Sequence, residues 1–159
     1  MTVRLANQED LAKITALGLH LLSSHISYDE EYFQLEDNSP QFYSDWARLH
    51  INSSNQFIFV SENDGETEKT ITGFISGYIK ILFPWFKIKQ VGHISFLAVD
   101  EKWRRQGVGR HLELKACEWF KNRGLTYIEL YTNEKNYPGI SAWQSYGYKP
   151  FNRFLSKKI

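Results

Sequence analysis

The spacing of apolar residues changes several times along the chain, and each change marks an element. Val3–Ala6 reads as a short strand. Asn7 then stands where a helix cap belongs, with Asp10 three residues on, approximating a capping box. Leu11, Ile14, Leu17, Leu21 and Leu22 follow at helical spacing. A second helix is predicted from Pro40 to about Ile51, with Phe42, Trp46 and Leu49 on one face. Phe57-Ile58-Phe59-Val60 is a strand signal, and Asn63-Asp64-Gly65-Glu66 is turn chemistry. Ile71–Ile81 reads as a strand that Phe83-Pro84-Trp85-Phe86 interrupts. Gln90–Val99 is another, and its unbroken Phe96-Leu97-Ala98-Val99 predicts burial on both faces. A helical stripe of Val108, Leu112, Ala116, Trp119 and Phe120 runs on to Arg123, with Gly124 as its natural stop. Thr126–Tyr131 reads as a strand, Gly139–Tyr146 as a short helix and Phe151–Lys157 as a final strand. The alternation predicts an α/β fold: a mixed, mostly antiparallel central sheet flanked by helices, with roughly six or seven strands and about four helices.

Composition narrows the class. The chain has 159 residues, a length that suggests a single domain over residues 1–159. It is 42% hydrophobic and 23% charged, as expected of a globular protein. Aromatic residues reach 16%, enough to build a core and still leave rings for a ligand cleft. Lys and Arg total 19 against 18 Asp and Glu, so the net charge of +1 points away from nucleic acid as a partner. Cys117 is the single cysteine, so no internal disulfide forms, and no Cys/His spacing suits a metal. The N-terminus lacks the profile of a secretory signal, and no apolar run approaches the eighteen or so residues that span a membrane. The expectation is a cytoplasmic protein with no membrane partner and no metal.

One stretch points to chemistry. From His93 to Arg110 the chain runs strand, short turn, basic glycine-containing loop, helix. A helix N-terminus offers unpaired N–H groups and the positive end of the macrodipole, which together favour phosphate. Gly107 and Gly109 lack Cβ atoms and let backbone approach an anion, while Lys102, Arg104, Arg105 and Arg110 surround it with positive charge. Neither GxxxxGK[ST] nor GxGxxG is present.

In these residues the chain resembles the GNAT superfamily of N-acetyltransferases. The family's cofactor signature, [RQ]-x-x-G-x-[GA] after a buried strand, stands here as Arg104-Arg105-Gln106-Gly107-Val108-Gly109. A second block, N-x-x-[AG]-x-x-x-Y-x-x-x-G-[FY], is matched by Asn136, Gly139, Gly147 and Tyr148, with Trp143 in the tyrosine position. The likeness is strong from about residue 90 to 150 and rests on element order alone before residue 55. It implies acetyl-CoA as co-substrate. The backbone of Gln106, Gly107, Val108, Gly109 and Arg110, with Arg104 and Arg105, is expected to hold the pyrophosphate. The Leu97-Ala98-Val99 segment is expected to lie along the pantetheine arm, Leu97 and Val99 pairing with it as an added strand would. Asn136 is expected to bond the arm, and strands Gln90–Val99 and Thr126–Tyr131 to splay apart and admit it.

Acetyl transfer to an amine needs a neutral nucleophile, a stabilised oxyanion and a proton for the leaving thiolate. The family commonly transfers directly, so Cys117 is not required and reads as a core thiol. An indole N–H cannot deliver a proton at ordinary pH, so Trp143 is expected to pack the thioester pocket. Tyr146, Tyr137 or water then protonates the thiolate, with Tyr146 ranked first. His93 is the leading base, with Ser95 on its strand face to hold a relay water and His25 as the looser alternative. His20, His50 and His111 read as structural or exposed. The acidic, aromatic stretch from Tyr28 to Asp37 is read as one wall of the acceptor site, with Asp29, Glu30 and Glu31 drawing in a cation. The first reading is therefore an N-acetyltransferase for a small cationic amine. The alternatives are a peptide or protein acetyltransferase and a non-catalytic acyl-CoA-binding domain. The Phe83–Phe86 loop either closes the pocket or serves as a homodimer contact.

Overall fold

Asn7 closes the capping box that the sequence predicts: its side chain accepts from the Glu9 N–H, and the Asp10 carboxylate accepts from the Asn7 N–H. This start fixes the passage from strand β1 (Thr2–Leu5), through a 3₁₀ turn, into helix α1 (Leu11–His25). Arg4 clamps the junction, donating to Asp10 at 2.7 Å and to Glu62 on the next strand. A computed structural model describes residues 1–64 and 69–159. Its further elements are α2 (Ser39–Ile51), β2 (Gln56–Asp64), β3 (Lys69–Ile81), β4 (Gln90–Val99), α3 (Val108–Lys121), β5 (Ile128–Leu130) and α4 (Tyr137–Ser145). Gly65 and Glu66 of the predicted turn lie outside the described residues, whereas Asn63 and Asp64 belong to β2.

Among the described residues the strands form one sheet in the order β1-β2-β3-β4-β5. The first three pairings are antiparallel and β4–β5 is parallel. A parallel pair needs a long crossover, which α3 supplies. One core lies on the α1/α2 face of the sheet, around Leu11, Ile14, Leu17, Tyr43, Ala47 and Phe74. The other lies under α3, where Val108, Leu112, Ala116 and Phe120 meet Phe57, Ile75 and Ile94. Of the stripe predicted for α1, Leu11, Ile14 and Leu17 are buried and Leu21 and Leu22 half-buried; of that for α3, all are buried but the half-buried Trp119. Gly124 ends the α3 segment with φ +75°.

Three expectations are corrected. Among the described residues the sheet has five strands rather than six or seven, because Phe151–Lys157 takes no regular structure. That segment is exposed throughout and packs on no sheet edge, so its β-forming residues have no ladder to join. The inward face of α2 is Tyr43, Ala47 and His50, not Phe42, Trp46 and Leu49. Phe42 and Leu49 are exposed and Trp46 lies at the margin, so tertiary packing overrides the apolar count. Finally, of Phe96, Leu97, Ala98 and Val99 only Ala98 is fully buried, because β4 has lost its neighbour on one side by this point.

Candidate active site

The site begins where two strands part. β4 pairs with β5 only through Gly92–Ile128, His93–Glu129 and Ile94–Leu130, yet runs on to Val99. A bulge coincides with the parting: Gly77 faces Ile94 while Ser76 faces Phe96, leaving Ser95 as the extra residue on β4. The bulge changes which peptides look outward. Gly92 N–H donates to Tyr127 O across the β5 edge at 2.9 Å, so even-numbered residues face β5 there. After the extra residue the phase shifts by one, and Leu97 and Val99 turn their peptides to the open edge. Asp100 N–H, next in turn, donates inward to Thr72 O at 2.9 Å. Beyond Ile94 no β5 residue pairs with this edge, and apart from Val99 O, which Arg104 takes, its main-chain groups are of the kind an extended amide-bearing chain can pair with.

The slot leads to the N-terminus of α3. Arg105 (φ +60°) and Gly107 (φ +83°) both adopt left-handed backbone within the turn. Such alternation curls successive N–H groups around a concavity suited to an anion. No side chain caps α3, so its first N–H groups stay available. A Cβ on Gly109 would lie 2.9 Å from the Tyr146 hydroxyl, so a side chain there would push the tip of that ring aside. The arginines divide the work. Arg104 Nε donates to Val99 O at 3.1 Å, on the open edge, and its guanidinium pairs with Glu101 at 3.4 Å. Gln106 Nε2 donates to Lys102 O, while Arg105 is exposed. Arg110 pairs with Glu113 at 2.8 Å, donates to Tyr146 O and lies 5.3 Å from the Tyr146 ring centre. An open amide edge ending at an uncapped, cation-ringed helix start fits a ligand with an extended amide arm and a pyrophosphate.

Glu113 is a buried carboxylate that sequence reasoning missed. It is 2% exposed and accepts from Arg110, from the Cys117 thiol at 2.9 Å and from the Tyr148 hydroxyl at 3.4 Å. Burial and this carboxylate push the Cys117 thiol up to about 12, so it holds its proton and is a poor nucleophile. Trp143 packs edge-on against Tyr146 and Tyr148 and joins the α3-side core. Tyr146 lies at the phosphate turn; burial, with the Glu113 charge, holds its phenol above the ordinary value. Tyr137 is exposed at the start of α4. The Asn136 side chain caps that helix, accepting from Gly139 N–H at 3.1 Å, and donates to Thr132 Oγ1 at 3.4 Å.

His93 is 6% exposed and lies on the α1/α2 face, between the rings of Tyr78 and Tyr131 at 4.9 and 5.0 Å. Its Nδ1 faces Glu129 Oε1 at 3.4 Å, and Glu129 pairs in turn with Lys80. Burial holds the imidazole below its ordinary value; Glu129 pulls it up and Lys80 pushes it down. His93 is therefore neutral at pH 7 and able to take a proton. Glu129, Lys80, Tyr78 and Tyr131 are the partners that the sequence did not reveal. Only strand register brings them to one face.

Beside this cluster is a cleft of about 320 Å³ lined by Trp46, His50, Asn55, Gln56, Tyr78, Ile79 and Ser95. The acidic segment lies elsewhere, in exposed turns after α1, where Asp29, Glu30 and Glu31 face solvent. Lys135 Nζ donates to Tyr28 O at 2.5 Å, which ties that segment to the β5–α4 connection. His25 packs on Tyr28 and Phe33, away from the His93 cluster. His20 pairs with Glu101, His50 is buried on Trp46, and His111 faces Gly107 O. Among the described residues, no helix is long and apolar enough to cross a membrane.

Strands that part beside a helix-start anion site form a slot for a long amide-bearing, phosphorylated ligand. Residues 22–148 match the model of the Acetyltransferase (GNAT) family. An N-acetyltransferase of Archaeoglobus fulgidus is 27% identical over 140 residues, covering 86% of this chain and 85% of that one. A mycothiol acetyltransferase of Thermobifida fusca is 34% identical over 59 residues, covering 37% of this chain and 18% of that protein's length. Among solved structures, the tetramutant of the Bacillus halodurans BH1408 protein superposes with a TM-score of 0.87 at 20% identity, covering all of both chains. The aminoglycoside 6′-N-acetyltransferase AAC(6′)-Ig of Acinetobacter haemolyticus superposes at 0.77 and 17%, covering 100% and 99%. The chain belongs to the GNAT family and is an acetyl-CoA-dependent N-acetyltransferase.

Proposed function

We propose that the chain transfers acetyl directly from acetyl-CoA to the primary amine of a small cationic molecule. The observation that carries this reading is the open β4 edge beyond Ile94, which runs beside His93 at one end and meets the uncapped α3 turn at the other. Leu97 and Val99 hold the pantetheine amides, and the Gln106–Arg110 backbone, flanked by Arg104 and Arg105, holds the pyrophosphate. Ala98 anchors the strand in the core beneath, and Trp143 walls the slot. Asn136 orders the α4 end, so its contact with the arm runs through a side chain already engaged in capping. His93 accepts the amine proton, directly or through a water held with Ser95. Tyr146 holds its proton at neutral pH and can give it to the departing thiolate. Direct transfer is supported by the state of Cys117, a protonated thiol bonded to Glu113.

Asp29, Glu30 and Glu31 supply the attraction for a cationic acceptor, and the likeness to an aminoglycoside acetyltransferase agrees with an acceptor of that kind. A second reading, acetylation of a peptide amine, is favoured by one observation: among the described residues the cleft beside Ser95 has no carboxylate in its lining. A panel of aminoglycosides, polyamines and short peptides, assayed by thiol release from acetyl-CoA, separates the two. The expected outcome is highest kcat/KM on a polyamine or aminoglycoside. Turnover confined to peptides moves the acceptor to the second reading, and CoA binding without turnover on any amine removes both.

A further inference from the structure

His93 does not stand alone on its face of the sheet. Parallel pairing sets Glu129 directly opposite it on β5, and antiparallel pairing sets Tyr78 opposite it on β3. Lys80, two residues along β3, reaches across to ion-pair with Glu129 and donates to the Tyr131 hydroxyl at 3.0 Å. The imidazole is thus held in place by two rings and addressed by one carboxylate, which is itself shared with a lysine. Among the described residues Nδ1 has Glu129 as its hydrogen-bond partner and Nε2 has none. A carboxylate can only accept, so the proton of a neutral His93 belongs on Nδ1 and the lone pair on Nε2. The 3.4 Å separation is long, as such contacts often are before substrate binds.

We propose that Glu129 and Lys80 are a positioning pair for His93: Glu129 fixes the tautomer that leaves Nε2 free to accept a proton, and Lys80 sets how much of the Glu129 charge the ring feels. This rests on the reading of His93 as the proton acceptor. The two partners act in opposite senses. Removing the Glu129 charge takes away the group that favours imidazolium and leaves Lys80 unneutralised. Removing Lys80 leaves Glu129 to act at full strength. The other titratable groups near the ring are Tyr78 on β3 and Tyr131 just after β5, with His50 of α2 lining the adjoining cleft; both substitutions keep these residues, and Lys80→Met also removes the donor to the Tyr131 hydroxyl.

Nitrogen NMR of histidine-labelled protein tests this, with His93 assigned by loss of its signals in His93→Gln. In the wild type at neutral pH, the His93 signals should show a protonated Nδ1 and a bare Nε2; the opposite tautomer overturns the proposal without any variant. In Glu129→Gln the His93 titration should move to lower pH, and in Lys80→Met to higher pH. Movement in the same direction, or none in either, also overturns it, since a purely structural role predicts no opposed pair. The kcat of Glu129→Gln should fall about tenfold, a part of the 10²–10⁴-fold a general base contributes, with little change in KM for acetyl-CoA. If His93→Ala keeps wild-type kcat, the base reading fails while the tautomer result stands, so the two failures are distinguishable.

Discussion

Gly107 and Gly109 lie in the same turn and answer to different physical demands. Gly107 has φ +83°, and a Cβ there would meet only the His111 ring, at an ordinary contact distance of 3.5 Å, so backbone strain alone opposes a side chain. Gly109 is not among the left-handed residues, but a Cβ there would lie 2.9 Å from the Tyr146 hydroxyl. Gly107→Ala is expected to cost about 1–2 kcal/mol of stability, from the left-handed conformation alone. Gly109→Ala should cost less, because the tip of the Tyr146 ring can swing aside, but it should disturb the turn that Tyr146 and Arg110 shape. Urea denaturation and acetyl-CoA calorimetry on both variants check the contrast. The expected pattern is a larger stability loss for Gly107→Ala and weakened acetyl-CoA binding in both; unchanged affinity in both would remove the turn as the anion site. The two-glycine spacing was legible from residues, because glycine is the one side chain whose absence is itself a signal. Glu113 was not, since an acidic residue on a helix looks solvated until the fold shows Arg110, Cys117 and Tyr148 turned toward it.

Elements were legible wherever a period was long. α1 and α3 each carry a stripe that sequence pattern and packing both support, so prediction and burial coincide. α2 misled, because its apolar residues outnumber the places beneath it. The Ser95 bulge and the β4–β5 register leave no period at all, and they create the slot and the His93 cluster. The same burial makes the elements sensitive to acid. His50 is 8% exposed, lies 4.1 Å from the Trp46 ring centre and meets Trp46 O through Nδ1 at 3.0 Å. Burial holds His50 and His93 below their ordinary values, although their hydrogen bonds oppose it in part. A histidine whose folded value is depressed takes up a proton on unfolding in the interval between the two values. Its stabilising effect is full above the unfolded value of about 6.5 and is lost as pH falls through the folded one. Urea midpoints should therefore be level above about pH 7 and decline toward pH 5. His50→Gln should flatten that decline in part, leaving the shares due to His93 and to His25, which burial also holds below its ordinary value. The paired carboxylates Asp10 and Glu129, held below the ordinary range by Arg4 and Lys80 against burial, add their own loss only at lower pH, below about 4. An unchanged slope in His50→Gln would place the acid sensitivity elsewhere.

At the scale of the whole molecule a net charge of +1 conceals a separation. The basic turn around Arg104, Arg105 and Arg110 and the acidic turns around Asp29, Glu30 and Glu31 lie in different parts of the fold, one after β4 and one after α1. Composition averages the two away, which is why the chain's overall charge pointed away from nucleic acid yet said nothing about a charged acceptor. The acidic residues face solvent, and Lys158 engages Glu31 in an exposed pair at 2.6 Å. Lys158 offsets the charge of Glu31, whereas among the described residues Asp29 and Glu30 are in no ion pair, so their negative field remains for a ligand. The field acts at long range and steers an incoming cation, and salt screens it within about 8–10 Å. The combined substitutions Asp29→Asn, Glu30→Gln and Glu31→Gln should therefore raise KM for a cationic amine by roughly three- to tenfold at low ionic strength. KM for acetyl-CoA should hardly move, because the phosphate turn belongs to another element. Raising the salt should shrink the difference between wild type and triple variant, since screening removes from the wild type what the substitutions removed from the variant. Steady-state kinetics in low and high salt, with one cationic and one neutral amine, reads all of this at once. A triple variant that raises KM for acetyl-CoA instead, or that affects the neutral amine equally, would show that the acidic turns serve the fold rather than the acceptor.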